Sequence, residues 1–294
     1  MPASGAGGIF AAVDGTHDRN GPPEPPEHVP ARLEDLANNY LLLIFAFACY
    51  LMATSVAGLL YLAGNVALSV ILPGIVGYVV PLAVIAKRYG ASFREQFRLH
   101  APDTAMTVVV LAIAASSIYP VDSLTWLFER GRPEDSDYIN ILLAFKPKGA
   151  LHFAGMALGI AVITPIGEEL LYRGLVQSVL HRNMRPAFAV ALAGLLFAIA
   201  HGTLYLIPGT AALGVLIGFV FYRTGSLVYP VMIHALFNAV SLVRLHMMSE
   251  EAIRASEWSA PSAVVLLGTS AVLAGALYVF HRSTSRAAGT GGGQ

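Results

Sequence analysis

Long apolar runs separated by short polar breaks set the architecture of this chain. From residue 39 onward eight stretches qualify as candidate spans: about 39–62, 67–86, 103–128, 149–180, 186–203, 209–223, 225–247 and 261–281. A helix needs roughly 20 apolar residues to cross ~30 Å of hydrocarbon, and inside lipid only helices and closed barrels satisfy their own backbone groups. The run lengths fit helices. The pattern therefore predicts an all-α, polytopic transmembrane bundle of about eight spans. Gly64-Asn65 reads as the turn between the first two, and Lys87 to Arg98 as an amphipathic connector at the interface. Glu129 to Lys148 is the most polar connector and reads as a solvated loop. Gly225 separates the short sixth span from the seventh, and Gly202 and Pro208-Gly209 are expected to end or bend helices. No segment pattern repeats, which weakens an inverted-repeat transporter reading.

The flanks differ from the body. Residues 1–36 are expected to form a disordered Pro/Gly-rich tail, because composition such as Gly21-Pro22-Pro23-Glu24-Pro25-Pro26 cannot bury enough apolar surface to order itself. No basic n-region precedes an apolar h-region there, so a signal peptide is not expected. Residues 37–282 form the expected membrane domain, and 283–294 a second disordered tail.

Composition sharpens the membrane assignment. The 294 residues are 56% hydrophobic and 12% charged, whereas soluble domains carry about 25% charged residues. Formal net charge is zero, and no Lys/Arg cluster suggests a nucleic-acid partner. The single cysteine, Cys49, lies in an apolar run and reads as a small buried hydrophobe. Basic residues give orientation. With eight spans, the side carrying both termini holds Arg19, Arg32, Lys87, Arg88, Arg94, Arg98, Arg182, Arg185, Arg223, Arg282 and Arg286, eleven in all. The other side holds Arg130, Arg132, Lys146, Lys148, Arg244 and Arg254, six in all. Cytoplasmic termini are the expectation, in a multi-pass protein of a prokaryotic cytoplasmic membrane.

Candidate chemistry lies in the polar residues within the spans, because a charge near the bilayer centre costs at least ~2.5–3.5 kcal/mol on insertion scales. Glu168 and Glu169 are adjacent, so on a helix they point about 100° apart and cannot share one task. Glu169 and Arg173 stand four apart in the favourable order for a helical ion pair. That pairing leaves Glu168 free as a general base for water, although both acids could instead form a structural network with Arg173. Phe197 and His201 share one helix face, with Phe197 beside the imidazole. His234 and Asn238 also share a face, and an imidazole and a carboxamide one turn apart can both donate toward an oxyanion. The same histidine could bind a divalent metal, or the pair could simply join two helices. Counting at 1.5 Å per residue, His234, Glu168 and His201 lie roughly 14, 21 and 22 Å from the basic side. A common site near the midplane is feasible. His100, His152, His181, His246 and His281 fall at span ends and read as interfacial, as do Tyr205 and Tyr229.

Glu-Glu-x-x-x-Arg (Glu168, Glu169, Arg173), then Phe-x-x-x-His (Phe197, His201), then His-x-x-x-Asn (His234, Asn238), on successive spans, resembles the CPBP family of intramembrane proteases. This family includes the CAAX prenyl endopeptidases and bacteriocin-processing and immunity proteins. The resemblance covers about residues 150–245. It implies an endopeptidase acting on a membrane-bound or lipid-anchored protein or peptide within the lipid bilayer. Carried over, Glu168 activates water and Glu169 with Arg173 supports it. His201 is a ligand or water-positioning group, and His234 and Asn238 stabilise the oxyanion. Family members have been described as metalloproteases and as metal-independent glutamate proteases. A zinc reading would use Glu168, His201 and His234, a minimal three-ligand set; a glutamate-activated water is the preferred expectation. The competing classes are a non-catalytic immunity or scaffold protein of the same fold, and a proton-coupled transporter using Glu168 and Glu169.

Overall fold

The computed structural model describes residues 33, 37–130, 137–254 and 260–290. Most of the two expected tails, Arg19, Arg32, Arg132 and part of the 129–148 connector lie outside these residues. Among the described residues every regular element is a helix. The principal ones are α1 (Asn39–Leu62), α2 (Val66–Arg88), α3 (Thr104–Glu129), α4 (Ala150–Asn183), α5 (Pro186–Ile199), α6 (Leu204–Thr224), α7 (Val228–Met247) and α8 (Ala263–Thr290). Seven of them are long and apolar enough to cross a membrane. Their outer faces carry large exposed hydrophobics, with Leu59, Val108 and Leu267 at 70%, 63% and 72% exposure. Apolar surface on that scale suits lipid rather than water.

The exception is α5, which has 14 residues and so spans only about 21 Å. The apolar run 186–203 does not stay helical to its end. Ala200 closes the helix, Gly202 takes a left-handed φ of +70°, and Thr203 is extended. The connector read as a solvated loop also departs, because Asp137–Phe145 is an apolar helix that buries Ile139 and lines the larger cavity. Further departures are at the chain's edges. Leu33, placed by sequence in a tail ending at 36, is fully buried, and its N–H donates to Gln96 Oε1 at 2.6 Å. Helix α8 continues to Thr290, past the expected tail start at 283. Arg223 at the end of α6 accounts for part of that extension, since its guanidinium donates to Thr284 Oγ1, Ser285 Oγ and the His281 carbonyl.

Contacts between helix ends sort them into two faces. On the first, Leu227 N–H donates to the Arg98 carbonyl, Asp103 N–H donates to Tyr229 Oη, and Arg223 binds the end of α8. On the second, Tyr61 stacks on Phe145, Lys146 Nζ donates to the last carbonyls of α7, and Ser262 N–H donates to Tyr119 Oη. The Gly64 turn (φ +77°) belongs to this second face.

Buried side chains form two clusters, one built largely on α1, α2, α4 and α5 and one on α3, α6, α7 and α8. Where α4 meets α5 and α6, glycines bring backbones together. Gly214 and Gly218 stand four apart on α6, the small-xxx-small spacing that lets membrane helices approach closely. A Cβ at Gly214 would sit 2.9 Å from the Cα and the carbonyl oxygen of Gly194 on α5. Helix α4 itself is not uniform: π-helical turns cover Gly159–Ile163 and Leu170–Gln177, on either side of Thr164–Glu169. Such wide turns in α-helices are frequent at functional sites.

Candidate active site

The two adjacent glutamates separate as their spacing predicts. Glu169 is fully buried, and its Oε1 accepts from Arg173 Nη1 at 2.9 Å and from His234 Nδ1 at 2.8 Å. Glu168 turns elsewhere. Its side chain is 17% exposed, its Oε2 lies 3.7 Å from His234 Nε2, and that oxygen takes no hydrogen bond from a described residue. Glu169 Oε2 is likewise buried without a partner, so the two acids differ in that only Glu169 pairs with Arg173 and hydrogen-bonds His234.

Arg173 is held from three directions, with its Nε left without a hydrogen-bond partner. Beyond Glu169, its Nη2 donates to the Gly214 carbonyl at 3.1 Å, and its guanidinium stacks 4.6 Å from the Phe197 ring centroid. A turn further along α4, Gln177 Nε2 donates to the Gly218 carbonyl at 2.9 Å. The paired glycines of α6 thus expose carbonyls to a ladder of side chains from α4. Composition gave no hint of Gln177. The Gly214–Gly218 spacing was the available signal.

A hydrogen bond from an imidazole to an oxygen acceptor needs the proton on the contacting nitrogen, which places an Nδ1–H on each histidine. His234 donates Nδ1–H to Glu169, leaving Nε2 toward Glu168. His201 donates Nδ1–H to the Phe197 carbonyl at 2.8 Å and leaves Nε2 free as well. Phe197 joins these groups. Its fully buried ring meets Tyr172, His201 and His234 edge-on, with centroids 5.3, 4.8 and 5.4 Å away. Asn238 points along a different line: its Nδ2 donates to the Ile160 carbonyl at 2.9 Å, in the first π-helical turn of α4. One amide hydrogen is thereby engaged, and the second remains for other work.

Two cavities meet at this cluster. A larger one, about 490 Å³, is lined by Phe197, His201, His234 and Asn238 and extends past Phe145 to Met248 on the second face. A smaller one, about 210 Å³, reaches from Ser69 near the α1–α2 turn to Glu168 and His201. His201 borders both. A three-ligand zinc site would need Glu168, His201 and His234 grouped around one point. No set of three His, Cys, Asp or Glu side chains among the described residues is arranged to hold an ion, so the residues as placed do not fit that group.

The fold and site together define a multi-pass helical membrane protein in which buried Glu169, Arg173 and His234, with part-buried Glu168 and exposed His201 beside them, join the two packing clusters. Residues 150–240 match the family described as Rce1-like, type II CAAX prenyl endopeptidase Rce1-like. The matched stretch runs from α4 into α7 and contains all six expected site residues, so the resemblance to the CPBP and CAAX proteases holds over just under a third of the chain. Curated proteins and solved structures give no match.

Proposed function

We propose that the protein is an intramembrane endopeptidase in which Glu168 activates water for attack on a peptide bond. The observation that carries this reading is the division of labour between adjacent carboxylates. Glu169 is fully buried, with its Oε1 spent on Arg173 and His234 and its Oε2 unpartnered. Glu168 makes no hydrogen bond to a described residue, keeps its side chain 17% exposed and lines a cavity beside His234 Nε2. A carboxylate of that kind can take a proton from water, and the water oxygen then attacks the substrate carbonyl. His234, with its Nδ1–H held by Glu169, is oriented as a catalytic imidazole is by a carboxylate. When protonated, its Nε2–H can donate to the oxyanion, or later to the departing amine. The remaining amide hydrogen of Asn238 can serve the same oxyanion.

The substrate would occupy the larger cavity, whose walls are mainly apolar and whose inner end is formed by His201, His234 and Asn238. A membrane-bound or lipid-anchored peptide fits such a chamber. Arg244 pairs with Asp122 at 2.7 Å in this cavity wall, both about a third exposed, and ties α7 to α3. No step needs a metal ion. Comparing the C-termini of membrane proteins in cells carrying wild-type protein or Glu168→Gln tests the reading: at least one terminus should shift, and identical C-terminal sets would refute it.

A further inference from the structure

Glu168 and the proposed substrate chamber are on different sides of the histidines. Glu168 borders only the smaller cavity; His234 and Asn238 border only the larger; His201 borders both. A substrate filling the larger cavity would leave Glu168 facing the smaller one. We propose that the smaller cavity is a water chamber that feeds Glu168 from the α1–α2 turn while the substrate occupies the other side. This rests on the peptidase reading and supplies its second reactant.

The wall is mainly apolar but is interrupted by six hydroxyl side chains and the Glu168 carboxylate. At about 30 Å³ per molecule, a chamber of 210 Å³ has space for roughly seven waters. Ser69, Thr54 and Thr164 place hydroxyls along it from the turn inward, followed by Tyr50, Tyr78 and Tyr172 around Glu168. Ser69, Thr54, Thr164 and Tyr50 each donate their hydrogen to a backbone carbonyl. Their oxygens therefore remain as acceptors for water. Tyr78 and Tyr172, each 6% exposed overall, line the same cavity, and no described residue hydrogen-bonds to either hydroxyl. Two phenol hydroxyls and a carboxylate oxygen without protein partners on one cavity wall can share water as their ligand. Tyr78 and Tyr172 would position it for Glu168. Beside the chamber α4 packs closely on α2, since a Cβ at Gly167 would sit 2.9 Å from the Tyr78 ring and 3.0 Å from the Gly74 carbonyl.

The test has two independent arms on the full-length protein. In a Cys49→Ala background, Ser69→Cys, buried on the cavity wall, should react with a water-soluble maleimide on the order of tenfold faster than Met52→Cys on the exposed face of α1, because thiolate formation needs water. Equal rates for the two would show the chamber to be dry and overturn the proposal. In the second arm, Thr54→Trp and Ala57→Trp narrow the chamber without touching the histidines. Each should lower kcat about tenfold while KM stays within about twofold, the signature of a lost transition-state contribution rather than lost substrate binding. Tyr172→Phe should lower kcat about fivefold, as the loss of one hydrogen bond to water predicts. Full kcat in the tryptophan variants, with wild-type thermal stability, would also overturn the proposal. A wild-type protein without cleavage activity would instead sink the peptidase reading, and the maleimide rates would still decide whether a wet chamber reaches Glu168.

Discussion

At the scale of single residues, the account turns on two neighbouring glutamates with opposite duties. The same chemical change should therefore give opposite results at each. Glu168→Gln removes a carboxylate oxygen that has no protein partner, and stability should move by no more than about 0.5 kcal/mol. Glu169→Gln leaves a fully buried Arg173 without its counter-charge, and breaking a buried pair this way costs about 3–5 kcal/mol. Thermal unfolding in detergent distinguishes them; equal losses would contradict the division of labour. Spacing alone revealed that Glu169 pairs with Arg173 and that Glu168 does not. It could not show that Glu169 also holds His234, because that bond joins helices 65 residues apart. Nor could it show that one Asn238 hydrogen is committed to Ile160. The i, i+4 rule places side chains on a face but says nothing of what the opposing helix offers.

At the scale of helices, close approach does the organising. Gly214 lets α6 lie against α5 and present a carbonyl to Arg173. Gly214→Ala should push α5 and α6 apart and cost about 1–3 kcal/mol, as overpacking does. Gly268 on α8, where an added Cβ meets nothing within 4 Å, should accept alanine at no loss, with a small gain in helix propensity. Melting temperatures of the two variants check this directly. Apolar run lengths located all eight helices. Three ends were misplaced: α6 begins at Leu204 rather than 209, and two others moved for visible physical reasons. Helix α5 stops at Ile199 because Gly202 leaves the helical region. Helix α8 passes the polar His281-Arg282-Ser283-Thr284-Ser285 stretch because Arg223 satisfies that surface. Hydropathy registers composition and misses such pairing. The π-helical turns flanking Glu168 were likewise invisible, since no residue type marks them.

At the scale of the whole molecule, the larger cavity reaches Phe145 and Met248 and the smaller one Ser69, all toward the face opposite the chain's described ends. The excess of basic residues lies on the other face, so the positive-inside tendency would make that face cytoplasmic. Substrate and water would then arrive from the non-cytoplasmic side. In intact cells a membrane-impermeant maleimide should label Asp137→Cys, whereas Arg88→Cys should react only after permeabilisation; the reverse pattern would turn the molecule over without disturbing its site. Because the acidic and imidazole groups are not gathered as an ion-binding trio, chelators should leave peptide cleavage within about twofold, and a larger loss reversed by added zinc would restore the metal reading. The most direct test of the central claim is cleavage of a membrane-tethered peptide by purified wild-type protein and by Glu168→Gln in liposomes. General-base catalysis contributes about 10²–10⁴-fold, so the variant should lose at least about 100-fold in kcat while folding and inserting as wild type does. Cleavage retained at the wild-type rate would contradict the account.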